Sequence, residues 1–186
     1  MSASSWHWQQ ALRVLRREGV VACPTEAVWG LSCDPWSERA TERLLALKDR
    51  PWEKGLILVA ANEFQLEPFI EVPSKAAWKR AAVTWPGPAT WVFPCTEDTP
   101  MWISGDQDTV AVRITAHPLM QELCLRHGGA LVSTSANPAG RDPALYPGQV
   151  RMYFGEKLDF LLPGSLGGHP KPTSIRDATT GHILRR

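Results

Sequence analysis

This chain predicts an α/β architecture with a mixed or irregular sheet, on three observations. Short apolar, strand-like runs alternate with amphipathic helical ones. At 186 residues the chain suits one domain with a single core, residues 1–186. Its 16 prolines exceed the average usage of about 5% and punctuate the connections.

The elements follow in order. Trp8, Ala11, Leu12 and Leu15 recur at i, i+3, i+4 and i+7, so the first amphipathic stretch is a helix, which Gly19 closes. "VVACP" (20–24) reads as a short buried strand. Ser37 caps a second helix with Ala40, Leu44 and Leu47 on its apolar face. Pro51 restricts Arg50 to extended geometry, so this helix ends near Asp49. "LILVA" (56–60) is a second buried strand. Residues 75–83 read as a helix ending at the turn "WPGP", and "TWVFP" (90–94) is the next strand. In "TVAVRIT" (109–115), Val110, Val112 and Ile114 share one face and Arg113 takes the other. Pro118 opens a helix that runs to about His127, with Met120, Leu123 and Cys124 inward and Gly128 after its end. "ALVS" (130–133) is a strand that runs into a polar loop.

Composition narrows the function. Lys plus Arg total 20 against 19 Asp plus Glu, without the basic excess of a general nucleic-acid coat. No apolar run approaches the roughly 18 residues of a membrane span, and the amphipathic first helix lacks the apolar region of a secretory signal. Cys23, Cys33, Cys95 and Cys124 are scattered with no C-x-x-C pair, which predicts buried or half-buried thiols in a reducing cytoplasm. The histidines show no metal-site spacing, so no dedicated protein-only metal site is expected.

Four stretches carry chemistry-bearing residues. "KDRPWEKG" (48–55) holds Lys48, Arg50 and Lys54; if extended, these share parity and face one side. They are either one half of a polyphosphate clamp or a solvated basic loop, and Lys48 also suits a helix C-terminus on dipole grounds alone. "LVSTSANPAG" (131–140) places Ser133, Thr134, Ser135 and Asn137 directly after a buried strand, where open α/β sheets bind ligands; the alternative is an ordinary turn. In "ACPTEAVWGL" (22–31), Thr25 suits a small polar ligand. Trp29 there is either the wall of an apolar pocket or a core residue beyond a turn. Arg113, a charge within an apolar strand, pairs with a carboxylate, meets a ligand carboxylate or faces solvent on an edge. Neither common phosphate-loop motif is present, and G-x-S-x-G is absent, which argues against hydrolase serines.

Together these segments resemble the YrdC-like threonylcarbamoyl-AMP synthase family, in its short single-domain bacterial form. "PTEAVWGLSCDP", "LKDRPWEKGLIL" with its K-x-R and further lysine, "WPGPATWVFP", "VAVRITAHPL", "STSANPAG" with its S-x-N, and "KPTSIRDATTGHILRR" follow in the family's order. Trp29 stands where tyrosine or phenylalanine is usual, and Thr173 where serine is usual.

The resemblance implies a twisted, mostly mixed open sheet flanked by helices around a concave basic cavity. It implies that L-threonine, bicarbonate and ATP condense to threonylcarbamoyl-AMP and pyrophosphate. Magnesium would arrive with ATP. Partner proteins would pass the threonylcarbamoyl group to A37 of tRNAs reading codons that begin with A, in the cytoplasm; a direct tRNA contact stays open. Lys48 and Arg50 are the implied catalytic residues. With Lys54, Ser135 and Asn137 they would hold ATP, and Thr109 and Arg185 join the nucleotide side. Thr25, Arg113, Ser133 and Thr173 would surround threonine, Arg113 on its carboxylate. Two alternatives remain: a non-catalytic RNA-binding or ribosome-maturation factor, and a carbamoyl-adenylate enzyme, a class usually found within longer multidomain chains.

Overall fold

A computed structural model of the chain describes residues 3–169 and 173–185. Two mixed sheets, not one, form its centre. Helix α1 (Ser5–Arg16) buries Ala11 and Leu15 and leads into β1 (Val21–Pro24), which pairs antiparallel with β2 (Trp29–Ser32). Its last turn closes at Arg17, and Glu18 takes the positive φ (58°) expected at Gly19. Gly19 is needed for space instead, because a Cβ there would stand 2.6 Å from Val14.

Helix α2 (Glu38–Lys48) starts where expected, with Ser37 Oγ accepting from the Ala40 amide. β3 (Ile57–Ala60), α3 (Lys75–Ala82), β4 (Ala89–Pro94), the short α4 (Met101–Ser104), β5 (Thr109–Ile114) and α5 (Pro118–His127) follow. Gly128 after α5 adopts φ 90°, the left-handed stop its sequence position calls for.

The sheets meet at one strand that changes partners. β6 (Leu131–Val132) pairs with β3, and two residues on, β7 (Thr134–Ser135) pairs with β2. Ser133 is the crossing point, its amide donating to Ile57 O at 2.8 Å. The chain ends with α6 (Pro147–Phe154), β8 (Phe160–Leu161) beside β1, and β9 (Ser174–Asp177) with β10 (Ile183–Arg185). The strand orders are β7-β2-β1-β8 and β10-β9-β4-β5-β3-β6.

Two apolar clusters pack against these sheets. The larger joins Trp29, Leu31, Leu44, Leu58, Phe69, Trp91 and Phe93; the smaller joins Leu15, Val21, Val59, Met120 and Leu131 beneath α1 and α5. Trp29 is therefore a core residue, with 1% of its surface exposed, and not a pocket wall. Its position in β2, opposite Pro24, turns it into the larger cluster. No helix of the described residues is long and apolar enough to cross a membrane. The four cysteines are free, three of them buried; burial pushes the Cys23 and Cys33 thiols up to about 12, which excludes both as thiolate nucleophiles at neutral pH.

Candidate active site

A cavity of about 650 Å³ opens where the two sheets and the end of α2 converge, within the size range of small-molecule sites. Segments from both sheets line it. Five cations, Lys48, Arg50, Lys54, Arg113 and Arg185, face two acids, Glu26 and Asp49. Of the residues singled out in the sequence, Thr25, Ser133, Thr134, Ser135, Asn137 and Thr173 also line it. Thr109 does not join them. It begins β5 opposite Pro94, four positions before Arg113, and is outside the cavity wall.

The cations converge by a different geometry from the extended run that shared parity suggests. α2 stops at Lys48, and Asp49 turns into the left-handed region at φ 50°. The Arg50 amide reaches back to Leu45 O and the Asp49 amide to Ala46 O, a Schellman closure. A short 3-10 turn over Trp52–Lys54 then replaces the predicted extension. It ends at Gly55 (φ 60°), where a Cβ would meet Ser104 O at 2.7 Å. Reversal, then turn, brings residues 48, 50 and 54 to one cavity.

Lys48 is buried, and its ammonium donates to the Ser135 carbonyl and, at 2.9 Å, to the Asn137 carbonyl. The Ala139 amide donates in return to Lys48 O at 2.8 Å. The K-x-R segment and the S-x-N loop are thus stapled together, a link between positions almost ninety residues apart that neither motif announces. Burial, and then the Arg50 charge, push the Lys48 ammonium down to about 8.

Arg50 donates from Nη2 to Gly55 O at 2.8 Å, while its Nε is buried without a partner among the described residues. Burial and the nearby Arg185 charge lower its pKa. Asn137 turns its amide nitrogen onto Arg141 O (2.7 Å) and Pro138 O (3.2 Å), which shapes the loop and leaves its oxygen beside Lys48.

Arg113, in the same lining, is 5% exposed and makes an ion pair with Glu26 at 3.3 Å. Its Nη1 donates to Thr173 Oγ1 at 3.1 Å. Burial lowers its pKa and Glu26 opposes that. Of the three readings open for this arginine, pairing with a carboxylate is realised, inside the cavity. The Arg113 Nε also has no partner among the described residues. Thr25 Oγ1 donates to Val28 O at 2.7 Å, shaping the turn beside Gly30, where a Cβ would crowd Thr25 and Thr134 O at 3.1 and 3.2 Å.

Glu26 is the residue the motif reading passed over. A signal was available: it is the one charge in the run Val20–Cys33, as Arg113 is the one charge in "TVAVRIT". Two lone, opposite charges in apolar runs are candidates for one buried pair. Lys171, Pro172 and Arg186 of the closing segment lie outside the described residues.

Fold and cavity together define an α/β protein with a cation-lined cavity between two mixed sheets and a buried Arg113–Glu26 ion pair in its wall. The chain belongs to the Sua5/YciO/YrdC family, whose model, described as "Telomere recombination", matches residues 13–186. It is 55% identical over 182 residues to the threonylcarbamoyl-AMP synthase of Pseudomonas aeruginosa, covering 98% of each chain. It is 54% identical to that of Halorhodospira halophila, covering 96% of this chain and 93% of the relative. P. abyssi Sua5 complexed with L-threonine superposes with a TM-score of 0.91 at 31% identity; the match covers 98% of this chain and 54% of the longer Sua5 chain. The E. coli YciO structure shares the fold, with a TM-score of 0.86 at 22% identity over 98% of this chain and 90% of YciO.

Proposed function

We propose that this chain is a threonylcarbamoyl-AMP synthase, a nucleotidyltransferase that condenses L-threonine, bicarbonate and ATP and releases pyrophosphate. One observation carries the reading: a cluster of cations and a buried arginine paired with Glu26 and Thr173 line a single cavity together with several hydroxyls. The curated names at 55% identity over nearly the whole chain support it. The near balance of charge, and a basic cluster confined to a cavity, weigh against the RNA-binding alternative.

Threonine first loses an amine proton and adds to bicarbonate, giving the N-carboxylate and water. A carbamate oxygen then attacks the α-phosphorus of ATP, the bond to the bridging oxygen breaks, and pyrophosphate departs. The attacking oxygen is already anionic, so this step calls for positioning and charge neutralisation rather than a protein nucleophile. Lys48, Arg50, Lys54 and Arg185 neutralise the phosphates and the leaving pyrophosphate. Ser135 and Asn137 contact the phosphates or oxygens bound to magnesium. Thr25, Ser133 and Thr173 surround threonine, and Arg113 meets its carboxylate.

The cavity's oxygen donors are hydroxyls, the Asn137 amide and the Asp49 carboxylate, with the Glu26 carboxylate already taken by Arg113; this set suits magnesium carried on ATP. When bound, the ion adds charge neutralisation at the phosphates. Thr109 retains at most an indirect place on the nucleotide side, since it stands outside the wall. The product passes to proteins that modify tRNA, in the cytoplasm.

The deciding experiment measures pyrophosphate release from ATP and magnesium with each substrate omitted in turn. Release that requires both L-threonine and bicarbonate, with serine much poorer, is expected. No release in any combination, alongside salt-dependent RNA binding indifferent to threonine, would return the cations to an RNA-facing role.

The ammonium at Lys48 gives the nucleotide reading a pH signature. With its pKa at about 8, roughly half of the free molecules carry a neutral amine at pH 8. Bound phosphates favour the charged form, so ATP binding at pH 8 takes up about half a proton, and affinity falls as pH rises further. Calorimetry in buffers of different ionisation heat reads this directly; an enthalpy independent of buffer would take Lys48 off the phosphates. The stability effect has its own sign. Between about 8 and the ordinary value of 10.5 the folded state binds fewer protons than the unfolded one, so this group's contribution to stability rises with pH across that window.

A further inference from the structure

Glu26 takes no part in the reaction just described, yet it lines the cavity and is 3% exposed. An acid this deep would repel ATP, bicarbonate and the threonine carboxylate alike unless its charge were compensated. The compensation is built in. Oε2 receives Arg113 Nη2 at 3.3 Å, and Oε1 receives the Thr115 hydroxyl at 2.6 Å. Thr115 Oγ1 also accepts the His117 amide at 3.1 Å, which fixes the hydroxyl to the start of α5. Arg113 is held on its other side by Thr173, whose Oγ1 lies 3.0 Å from Thr90 Oγ1.

The backbone of Glu26 is pinned as well. The His169 amide donates to Glu26 O at 3.0 Å, and the Gly167 amide to Thr25 O at 3.0 Å. Gly167 packs closely on Glu26: a Cβ there would stand 3.0 Å from Glu26 Cα and 3.1 Å from its carbonyl oxygen, tighter than most such contacts. Glu26 is therefore immobilised at both its backbone and its carboxylate. What it immobilises in turn is the guanidinium. Two of the five N–H donors of Arg113 are held at opposite ends by Glu26 and Thr173, and Nε has no partner among the described residues.

We propose that Glu26 is a positioning residue for the amino-acid substrate: with Thr115 behind it, it holds the Arg113 guanidinium in one orientation, so that the remaining donors meet the threonine carboxylate. Glu26 itself touches no substrate. A free arginine side chain would lose its rotamer freedom when the substrate arrives; here that ordering is completed during folding, which strengthens binding without any added contact. The assignment rests on the reading of Arg113 as the carboxylate anchor.

Two variants test it, both of which keep a negative charge opposite Arg113. Glu26→Asp shortens the side chain by one methylene, so it cannot reach Arg113 and Thr115 together. Thr115→Val removes the hydroxyl behind Oε1 and with it the acceptor of the His117 amide, while the Arg113–Glu26 pair keeps its reach. The threonine KM is expected to rise about tenfold or more in Glu26→Asp and about threefold to tenfold in Thr115→Val. The ATP KM, and kcat at saturating threonine, stay within about twofold in both. The equilibrium Kd for L-threonine, from ligand-dependent melting, moves with the threonine KM. A purely structural role would lower the melting midpoint and leave the ratio of the two KM values alone. If Glu26→Asp does not fold, Thr115→Val, with the ion pair intact, decides. Equal rises in both KM values, or a threonine KM within twofold of an active parent protein, overturns the assignment alone. A parent protein that releases no pyrophosphate overturns the reading of the site, and this assignment with it.

Discussion

Replacing Arg50 with alanine is expected to lower pyrophosphate release by about 10²–10³-fold, the effect of deleting one preorganised charge at a developing anion. The melting midpoint should move little. Arg50 is half-buried, and its contacts among the described residues are hydrogen bonds to the Gly55 and Lys54 carbonyls at 2.8 and 3.4 Å, with no carboxylate partner there. Losing such a contact costs about 1–2 kcal/mol, or roughly 2–8 °C for a chain of this size. The charge has no such substitute in the reaction. The guanidinium is a planar fork matched to phosphate oxygens, and its Nε is buried without a partner among the described residues. Turnover and melting, measured on the same preparation, separate the two roles. A rate within threefold of the parent would remove Arg50 from the chemistry. A collapse of the midpoint would make its tie to Gly55 the dominant function.

Arg113→Ala should fail in two ways at once. The threonine KM should rise by a larger factor than the ATP KM, because this arginine is the proposed carboxylate anchor. The protein should also lose about 3–5 kcal/mol of stability, because removing one partner of a buried ion pair leaves the other uncompensated. Glu26, 3% exposed, would be that partner. At this chain length the loss is a drop of roughly 6–20 °C. Arg113→Lys separates the effects. It restores a charge opposite Glu26 but not the fork that reaches both Glu26 and Thr173. It should recover much of the melting midpoint while the threonine KM stays high. A rise confined to the ATP KM would move Arg113 to the nucleotide.

Much of the molecule was readable in advance wherever the signal is local. The Ser37 cap, the Pro118 start and the Gly128 stop depend on the backbone needs of a few adjacent residues, and all three hold. The 3.6-residue period of α1 and the two-residue period of β5 place Leu15 inward and Arg113 opposite Val112 for the same reason. Structure and expectation part where a local rule has two solutions. The positive φ after α1 falls on Glu18 rather than Gly19. The run 48–54 reaches the cavity through a helix reversal and a 3-10 turn, although its proline and parity also fit an extended strand. The short strands β2 and β7–β10 and helix α6 carry too few residues, or too weak a period, to stand out.

The sequence by itself determined the alternation of helices and strands, the ends of the main helices, the lone charges in apolar runs, and the order of motifs that places the chain in its family. The tertiary structure decided which of those groups meet. Only there does one strand divide at Ser133 between two sheets, and only there does Lys48 close onto Ser135 and Asn137. The same holds for Glu26, 87 positions from Arg113, and for Trp29, which turns from the cavity into the core. The physical reason is range. Caps, turns and periodicity are settled between neighbours a few residues apart. A buried ion pair or a cavity wall is settled by the packing of segments that have no local signal for one another, under the demand that every buried charge find a partner.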